Sequence, residues 1–194
     1  LRSYDLLWSR LVNEYLLGER APMNDLMAWN ADATRMPARM HSQYLRRLFL
    51  NDDLCEGRYP VDGRPVSLSN LTLPMFMVGT LTDHVAPWRS VFKLHQMSPA
   101  EITFALTSGG HNAGIVNPPG NPRRRYQLLT RPAGGSYVAP EEWLETAPET
   151  QGSWWPAWLE WLKARSGTPA KPPRMGAGAY KPVGDAPGTY VLEK

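Results

Sequence analysis

Two apolar segments of strand length, joined by a helical one, constrain the fold more than any other feature of this sequence. The first is MFMVGT, Met75–Thr80, and the second is EITFALTS, Glu101–Ser108. Between them, PWRSVFKLHQM has the pattern of a helix that starts at Pro87. Strands that are apolar throughout are typical of parallel sheets with both faces covered. The sequence therefore predicts an α/β fold in which these two strands are parallel neighbours.

Helical periodicity dominates the chain before this unit. Apolar residues recur at helical spacing in residues 3–17 and again in residues 37–52. A shorter helix is predicted to start at Asn24 or Asp25, where either side chain can cap it. After these helices, the pair Asp62–Gly63 predicts a turn between short extended pieces.

Loops and two helices are predicted after the second strand. A Pro-rich loop is expected to run from His111 to about Gly135, followed by helices at PEEWLETA and SWWPAWLEWLKARS. Residues 166–194 are rich in Pro and Gly and are predicted to lie extended on a surface or to be mobile. Four tryptophans are spaced to form one face of the last helix: Trp154, Trp155, Trp158 and Trp161.

Composition excludes several classes of protein. The net charge of +3 is too mild to indicate a nucleic-acid partner. Three adjacent basic residues, Arg123–Arg125, are expected to form a solvated loop, with steering of an anionic ligand such as a phosphate as the alternative. The single cysteine excludes an internal disulfide and fits a reducing compartment. No segment has the length of a membrane span or the layout of a signal peptide.

An acid and a histidine follow the two predicted strands. Asp83 comes after the first strand and His111 after the second, so parallel pairing would bring their loops side by side. In such a pair the carboxylate orients the imidazole, and the imidazole acts as the general base that activates a nucleophile. We expect Gly109 and Gly110 to supply the positive φ angles that turn His111 over the sheet edge. The alternatives are that Asp83 caps the following helix and that His111 is bonded only to backbone.

The sequence contains no recognisable nucleophile to complete this pair. No Gly-x-Cys or Gly-x-Ser-x-Gly elbow stands before a helix. Cys55 lacks flanking glycines and is predicted to be a small, partly buried side chain. His41 and His95 are predicted to be surface or packing residues, and no spacing of potential ligands indicates a metal site.

Several long motifs resemble one family of enzymes. TDHVAPW and SGGHNAGIVNPP, with YLLGERAPMNDLMAWNADATRMPARMHSQYLRRLFLNDDL before them and GSWWPAWLEWL after them, are similar to the carboxyl-terminal half of class I polyhydroxyalkanoate synthases. The resemblance covers residues 5–194. It implies the carboxyl-terminal part of an α/β-hydrolase fold, with the last parallel strands and helices preceded by a helical cap. The implied division is 1–68 for the cap segment and its connection, 69–165 for the core, and 166–194 for the tail.

The resemblance also implies roles for individual residues. Asp83 and His111 match the aspartate and histidine of a Cys–Asp–His triad, and the Cys is expected in the polypeptide before Leu1. His84 matches a histidine near the active site. Tyr44 and Asp52 occupy positions that line the approach to it, although the family tends to carry Asn at the second of them. The tryptophan face is expected to pack on the sheet, with a polymer-facing surface as the alternative.

The implied activity is polymerisation of 3-hydroxyacyl coenzyme A into polyester by acyl transfer. Coenzyme A is then part of the substrate and a product, and no cofactor or metal is expected. The expected partners are the growing polyester, the amino-terminal half of the same enzyme and a second copy in a homodimer, at a cytoplasmic location that includes polymer granules. The chain by itself is expected to be inactive. The alternatives are a non-catalytic module that binds granules or assists assembly, and a fragment of an esterase of the α/β-hydrolase type.

Overall fold

The computed structural model describes residues 8–19, 35–176, 178–185 and 188. They divide into two units, one drawn from Leu1–Ala38 and Pro172–Lys194 and the other formed by Arg39–Lys171. The predicted division at residues 68 and 165 stays a prediction. In the first unit, residues 8–10 and the π-helical segment Leu11–Leu16 form one helix, which confirms the described part of the helix predicted over 3–17.

Two further predictions concern a helix in the first unit and the tail, residues 166–194. The helix predicted from Asn24 or Asp25 lies outside the described residues. The described residues of the predicted tail contain neither a helix nor a strand.

The helix predicted over 37–52 is confirmed. It starts as α1, Ala38–Tyr44, and continues as the π-helical segment Leu45–Leu50. Several of its apolar side chains are exposed: Met40, Tyr44, Leu45, Phe49 and Leu50.

A buried carboxylate fastens the end of this helix. Asp53 is 7% exposed, and the Arg47 and Arg58 nitrogens lie 3.5 and 3.6 Å from its carboxylate oxygens. Its backbone N–H also donates to the carbonyl of Arg47, at 2.7 Å. A β-hairpin follows, with β1, Tyr59–Val61, antiparallel to β2, Arg64–Val66.

The hairpin has the turn that the sequence predicts. Asp62 and Gly63 have φ angles of 48° and 76°, which is the two-residue turn whose twist matches the strands.

A mixed four-stranded sheet forms the centre of the second unit. Its strands are β3, Met75–Thr80, β4, Ile102–Thr107, β5, Arg125–Arg131, and β6, Glu149–Gln151, and they lie in that order. β3 and β4 are parallel and in register from Met75 opposite Ile102 to Thr80 opposite Thr107, as predicted.

The second half of the sheet differs from the prediction. β5 runs antiparallel to β4, and β6 runs antiparallel to β5. Residues 125–131 were expected to be part of the Pro-rich loop predicted from His111 to about Gly135. β5 forms because it pairs along the fully buried β4, where the hydroxyls of Thr103 and Thr130 are 2.9 Å apart.

Helices cover both faces of the sheet. The single helix predicted from Pro87 is divided into α2, Trp88–Phe92, and α3, Leu94–Met97. The two later helices are confirmed as α4, Pro140–Thr146, and α5, Trp155–Lys163.

One face of the sheet carries an aromatic core. Side chains alternate along β4, so Ile102, Phe104 and Leu106 point together towards α2 and α4. There the Phe104 ring lies 5.2 Å from that of Phe92 and 5.0 Å from that of Trp143, with edge-to-face geometry in both pairs. These rings are almost fully buried, so most of the apolar burial in the second unit is concentrated at this face.

The opposite face packs against α5. Phe76 of β3 lies 6.1 Å from the ring of Trp154 and 5.8 Å from that of Trp161. Trp154 and Trp161 therefore pack on the sheet, as expected, whereas Trp158 remains 40% exposed.

We expect Phe104→Ala to lower the free energy of unfolding by about 3–5 kcal/mol, because it leaves a cavity among three aromatic rings. Phe104→Leu keeps most of the volume and should cost less than about 1.5 kcal/mol. Urea denaturation of the two variants beside the wild-type protein measures both values. Wild-type stability in the alanine variant would contradict the described core.

Candidate functional site

The candidate site lies where β3 and β4 end. Immediately after the strands, the N–H of Leu81 donates to the carbonyl of Thr107 at 2.9 Å, and that of Thr82 donates to the carbonyl of Gly109 at 3.1 Å. These bonds continue the parallel ladder into the two loops. The loops that carry Asp83 and His111 are thus fixed beside each other.

Asp83 and His111 meet across this edge. The Nδ1 atom of His111 lies 3.0 Å from Oδ2 and 3.2 Å from Oδ1 of Asp83. The Asp83 side chain is only 6% exposed, whereas that of His111 is 46% exposed. The predicted juxtaposition is therefore present. Since a carboxylate only accepts hydrogen bonds, Nδ1 carries the proton and Nε2 is left for another group.

Asp83 is held as a carboxylate by the turn around it. Its Oδ1 accepts the N–H groups of Val85, at 2.8 Å, and Ala86, at 2.9 Å, and its Oδ2 accepts the Thr80 hydroxyl at 3.2 Å. The hydrogen bond from Ala86 is the largest cause that holds the pKa of Asp83 well below its usual value, and burial opposes that shift. Bonds from His111, Val85 and Thr80 lower the pKa further.

The helix-cap alternative for Asp83 is not what the structure contains. α2 starts after Pro87 and has no side-chain cap. Asp83 instead accepts N–H groups of the turn that precedes the helix. Thr80 is a residue of the site that the sequence reasoning missed; its position at the last residue of β3 is the feature that could have revealed it.

Glycines shape the His111 loop, but not in the way that was predicted. Gly109 has the expected positive φ angle, 115°, whereas Gly110 does not, so that part of the prediction is wrong. Gly114 has a separate role, because a Cβ atom there would lie 2.8 Å from Cβ of Thr80. The loop can approach the Asp83 side of the site closely only because residue 114 has no side chain.

Two tryptophans fasten the same loop from α5. The indole N–H of Trp154 donates to the carbonyl of Gly114 at 3.1 Å, and that of Trp155 donates to the carbonyl of Ile115 at 3.0 Å. The packing helix therefore also positions the segment that follows His111. The sequence reasoning assigned these residues to packing and gave no indication of their hydrogen bonds to the loop.

The other predicted site residues have no described bond to this pair. His84 is exposed in the Asp83 turn, and Tyr44 is 42% exposed with its ring 5.4 Å from that of Phe49. Asp52 is exposed, and its φ angle of 50° lies in the left-handed region. Among the described residues, no hydrogen bond or ring contact links His84, Tyr44 or Asp52 to Asp83 or His111.

Cys55 is poorly suited to act as a nucleophile. It is exposed rather than partly buried, which corrects the prediction. Desolvation raises the pKa of its thiol, and the carboxylates of Asp52 and Glu56 raise it further, so that the reactive thiolate is disfavoured.

The two remaining histidines differ in environment. His41 is exposed on α1, and His95 is a packing residue that is only 5% exposed. Within the described ranges, no group of three or more His, Cys, Asp or Glu side chains could hold a metal ion. No helix in the described part of the chain is long and apolar enough to cross a membrane.

The run Arg123–Arg125 is partly engaged with the protein. Arg125 pairs with Glu149 at 3.1 Å, and Arg124 donates to the carbonyl of Ser108 at 3.4 Å. These contacts stabilise the start of β5 beside the His111 loop.

A sheet that brings a buried carboxylate and a half-exposed imidazole together at its edge is typical of enzymes that use nucleophilic catalysis. No protein-family model matches the chain. Curated relatives do match it, and all of those described next are named as polymerases of one polyester.

The chain is 42% identical over 196 residues to poly(3-hydroxyalkanoate) polymerase 2 of Ectopseudomonas oleovorans, covering 100% of the chain and 34% of the relative. It is 40% identical over 195 residues to poly(3-hydroxyalkanoate) polymerase subunit PhaC of Rhizobium etli. That match covers 100% of the chain and 30% of the relative. The identity to the subunit of the same name from Cupriavidus necator is 36% over 196 residues. That match covers 100% of the chain and 33% of the relative. The predicted resemblance to polyhydroxyalkanoate synthases is thus confirmed. The chain spans about a third of the length of these relatives, less than the half that was expected.

We expect Gly114→Ala to lower the free energy of unfolding by about 1–3 kcal/mol, because the new methyl group overlaps the side chain of Thr80. Gly110→Ala is the matched control, since the nearest atoms to a Cβ there are those of Thr82 at 3.8 Å. Denaturant unfolding of both variants in the full-length protein measures the difference. Equal stability of the two variants would contradict the described loop.

The depressed pKa of Asp83 predicts where its contribution to stability depends on pH. That contribution is complete above the unfolded-state pKa of about 3.9 and is lost only as the pH falls through the lower folded-state pKa. We therefore expect Asp83→Asn, made in a His111→Ala background that lacks the imidazole, to cost the same at pH 8 as at pH 5. Denaturant unfolding of the single and double variants tests this. A cost that shrinks between pH 8 and pH 5 would contradict the hydrogen-bonded carboxylate.

Proposed function

We propose that this chain supplies the aspartate and the histidine of a Cys–Asp–His triad in a polyhydroxyalkanoate polymerase with an α/β-hydrolase fold. The observation that carries the proposal is the contact of His111 Nδ1 with both Asp83 oxygens at the ends of two parallel strands. The names of the relatives supply the substrate class. The nucleophilic cysteine belongs to the two thirds of the relatives that this chain does not span.

In the first half-reaction, Nε2 of His111 accepts the proton of the cysteine thiol. The resulting thiolate attacks the thioester carbonyl of a 3-hydroxyacyl coenzyme A, and the tetrahedral intermediate expels coenzyme A as a thiolate. The imidazolium of His111 returns its proton to that leaving group, which leaves an acyl-enzyme. Asp83 stabilises the imidazolium throughout, because its carboxylate contacts Nδ1.

In the second half-reaction, the 3-hydroxyl of one acyl unit attacks the thioester carbonyl of the next while a base accepts the hydroxyl proton. An ester bond forms, the C–S bond breaks, and the departing thiolate receives that proton from the base. The base for this step is His111 or Asp83. The environment of Asp83 supports His111: the oxygens of Asp83 accept bonds from Val85, Ala86 and Thr80, and its low pKa makes it a weak base. Asp83 then acts mainly by orienting the imidazole.

In this proposal, the remaining predicted residues line the path by which the substrate reaches the site. His84 neighbours the catalytic aspartate, and Tyr44 and Asp52 line the approach from the cap. The role proposed for the cap segment is to exclude water that would hydrolyse the acyl-enzyme. Coenzyme A enters only as part of the substrate, and the reaction uses no cofactor.

Two surfaces support the proposed partners. Within the described sheet, β3 pairs only with β4, so its other edge is available for a strand from the amino-terminal part of the polymerase. The exposed apolar side chains of the helix Ala38–Leu50, such as Phe49 at 69%, fit a homodimer contact. The proposed location is the cytoplasm, at the surface of polymer granules.

Two other functions remain as alternatives. A granule-binding or assembly module needs no catalytic pair, yet the contact between Asp83 and His111 is intact. An esterase fragment would share the pair, but the relatives are polymerases along the whole chain. Both observations favour the polymerase.

We expect His111→Ala and Asp83→Ala each to slow coenzyme A release by about 10²–10⁴-fold in the full-length polymerase, because general base catalysis is lost. The matched controls are His41→Ala, at an exposed histidine of α1, and Cys55→Ser; both should retain wild-type rates. A thiol-reactive dye measures the release, and circular dichroism verifies folding.

Three results would contradict the proposal. They are a near-normal rate in His111→Ala, loss of activity in Cys55→Ser, and coenzyme A release by this chain in isolation. An intact granule association in a variant that has lost coenzyme A release would separate binding from catalysis.

A further inference from the structure

α5 is apolar around more of its circumference than a helix on a protein surface needs. Its sequence, WPAWLEWLK, includes only two charged residues, Glu160 and Lys163, which pair with each other at 2.8 Å. On a wheel of about 3.6 residues per turn, these two and Pro156 span roughly 60°, and the remaining positions carry Trp, Leu or Ala. A surface helix commonly has an apolar stripe of roughly 100°. α5 therefore has more apolar surface than its contact with the sheet covers.

This apolar surface has two sides. The inner side packs on the sheet, where the Trp161 ring lies 5.8 Å from that of Phe76. The outer side faces solvent in part, since Trp158 and Leu159 are 40% and 49% exposed. Its residues have the i, i+3, i+4, i+7 spacing of a helix face that contacts another element, and they are Trp155, Trp158, Leu159 and Leu162.

β3 has the sequence of a central strand but the position of an edge strand. All six residues of β4 are buried, whereas residues 75–78 of β3 are only half-buried. β4 lies between two strands, and β3 pairs with one strand within the described sheet. A strand that is apolar on both faces is typical of the interior of a parallel sheet. The sequence of β3 therefore predicts a further strand along its free edge.

The outer side of α5 points towards this free edge. α5 packs on Phe76 and the crossover helix α2 packs on Phe104, so the two helices lie on opposite faces of the sheet. α5 runs antiparallel to β3, because Trp154 bonds to the loop that follows β4 and Arg165 pairs with Glu101 just before β4. Crossovers between parallel strands are right-handed. In a right-handed helix of that direction, the outer residues are about 100° on from the inner ones and turn towards β3 rather than β4.

We propose that the free edge of β3 and the outer side of α5 form one docking surface for a strand and a helix from the part of the polymerase outside this chain. The strand pairs with β3, and the helix that covers this strand packs on Trp158 and Leu159. Two observations argue for this occupant. The open edge and the open helix face adjoin, as the layers of one α/β sheet do, and this chain spans only 34% and 30% of two relatives, whose remaining polypeptide can supply both elements. The proposal rests on the proposed function only in taking this chain as part of a longer polymerase.

A photo-crosslinker at position 158 tests the occupant in the full-length polymerase. p-Benzoylphenylalanine replaces Trp158 and is similar to it in size and apolar character. Irradiation should join this residue to a peptide from outside the present chain but within the same molecule, so the mass on a denaturing gel stays that of one polypeptide and mass spectrometry identifies the peptide. The same crosslinker in place of Glu160, on the polar side of α5, should give no such product.

Four results of this experiment would overturn the proposal. A product with the mass of two polypeptides would assign the surface to a second copy, and a cross-link to polyester would assign it to the polymer. A cross-link confined to the present chain would mean that its own residues cover the outer side of α5. No product at all would leave that side in solvent.

Two alanine variants of the full-length protein measure whether the surface is buried. Leu159→Ala should lower the midpoint of thermal unfolding by about 2–4 °C, because it leaves a cavity between two packed helices. Glu160→Ala, the matched control on the polar side, should change the midpoint by less than about 1 °C. Equal midpoints of the two variants would contradict a buried interface. Coenzyme A release by the wild-type polymerase and by His111→Ala tests the proposed function separately, so the two proposals can fail independently.

Discussion

The parallel pairing of β3 with β4 is the constraint on which the rest of the site depends. Its register places Thr80 opposite Thr107, so the two loops leave the sheet at the same level. Backbone bonds continue from the strands into the loops and leave little freedom in the position of Asp83 relative to His111. The aromatic core on one face and α5 on the other hold both strands in place. The catalytic proposal therefore rests on ordinary sheet packing.

Successive hydrogen bonds orient the side chains of the site. Asp83 is oriented by its own turn and by Thr80, and it orients His111 in turn. Trp154 fastens the segment after His111 from the helix that packs on the other face of the sheet. A residue that packs on the sheet is therefore hydrogen-bonded directly to the loop that carries His111. A change in the position of α5 would reach the imidazole through only one loop.

The meeting of Asp83 and His111 could be predicted because it follows from the local sequence of the two strands and their loops. The strands Met75–Thr80 and Ile102–Thr107 are apolar enough to indicate burial on both faces, and their loops then had to meet. β5 was missed because it is stabilised by the neighbour along which it pairs, which the sequence of 125–131 does not show. The φ angle of Gly110 and the contact of Gly114 with Thr80 depend on how the folded loop crosses the sheet, and neither follows from glycine content.

The outer edge of β3 also affects how the chain behaves in solution. A row of backbone N–H and C=O groups on Met75–Thr80 faces no strand within the described sheet. Such an edge accepts any extended segment, including the same edge of another copy. While no strand covers this edge, the chain is therefore prone to edge-to-edge aggregation.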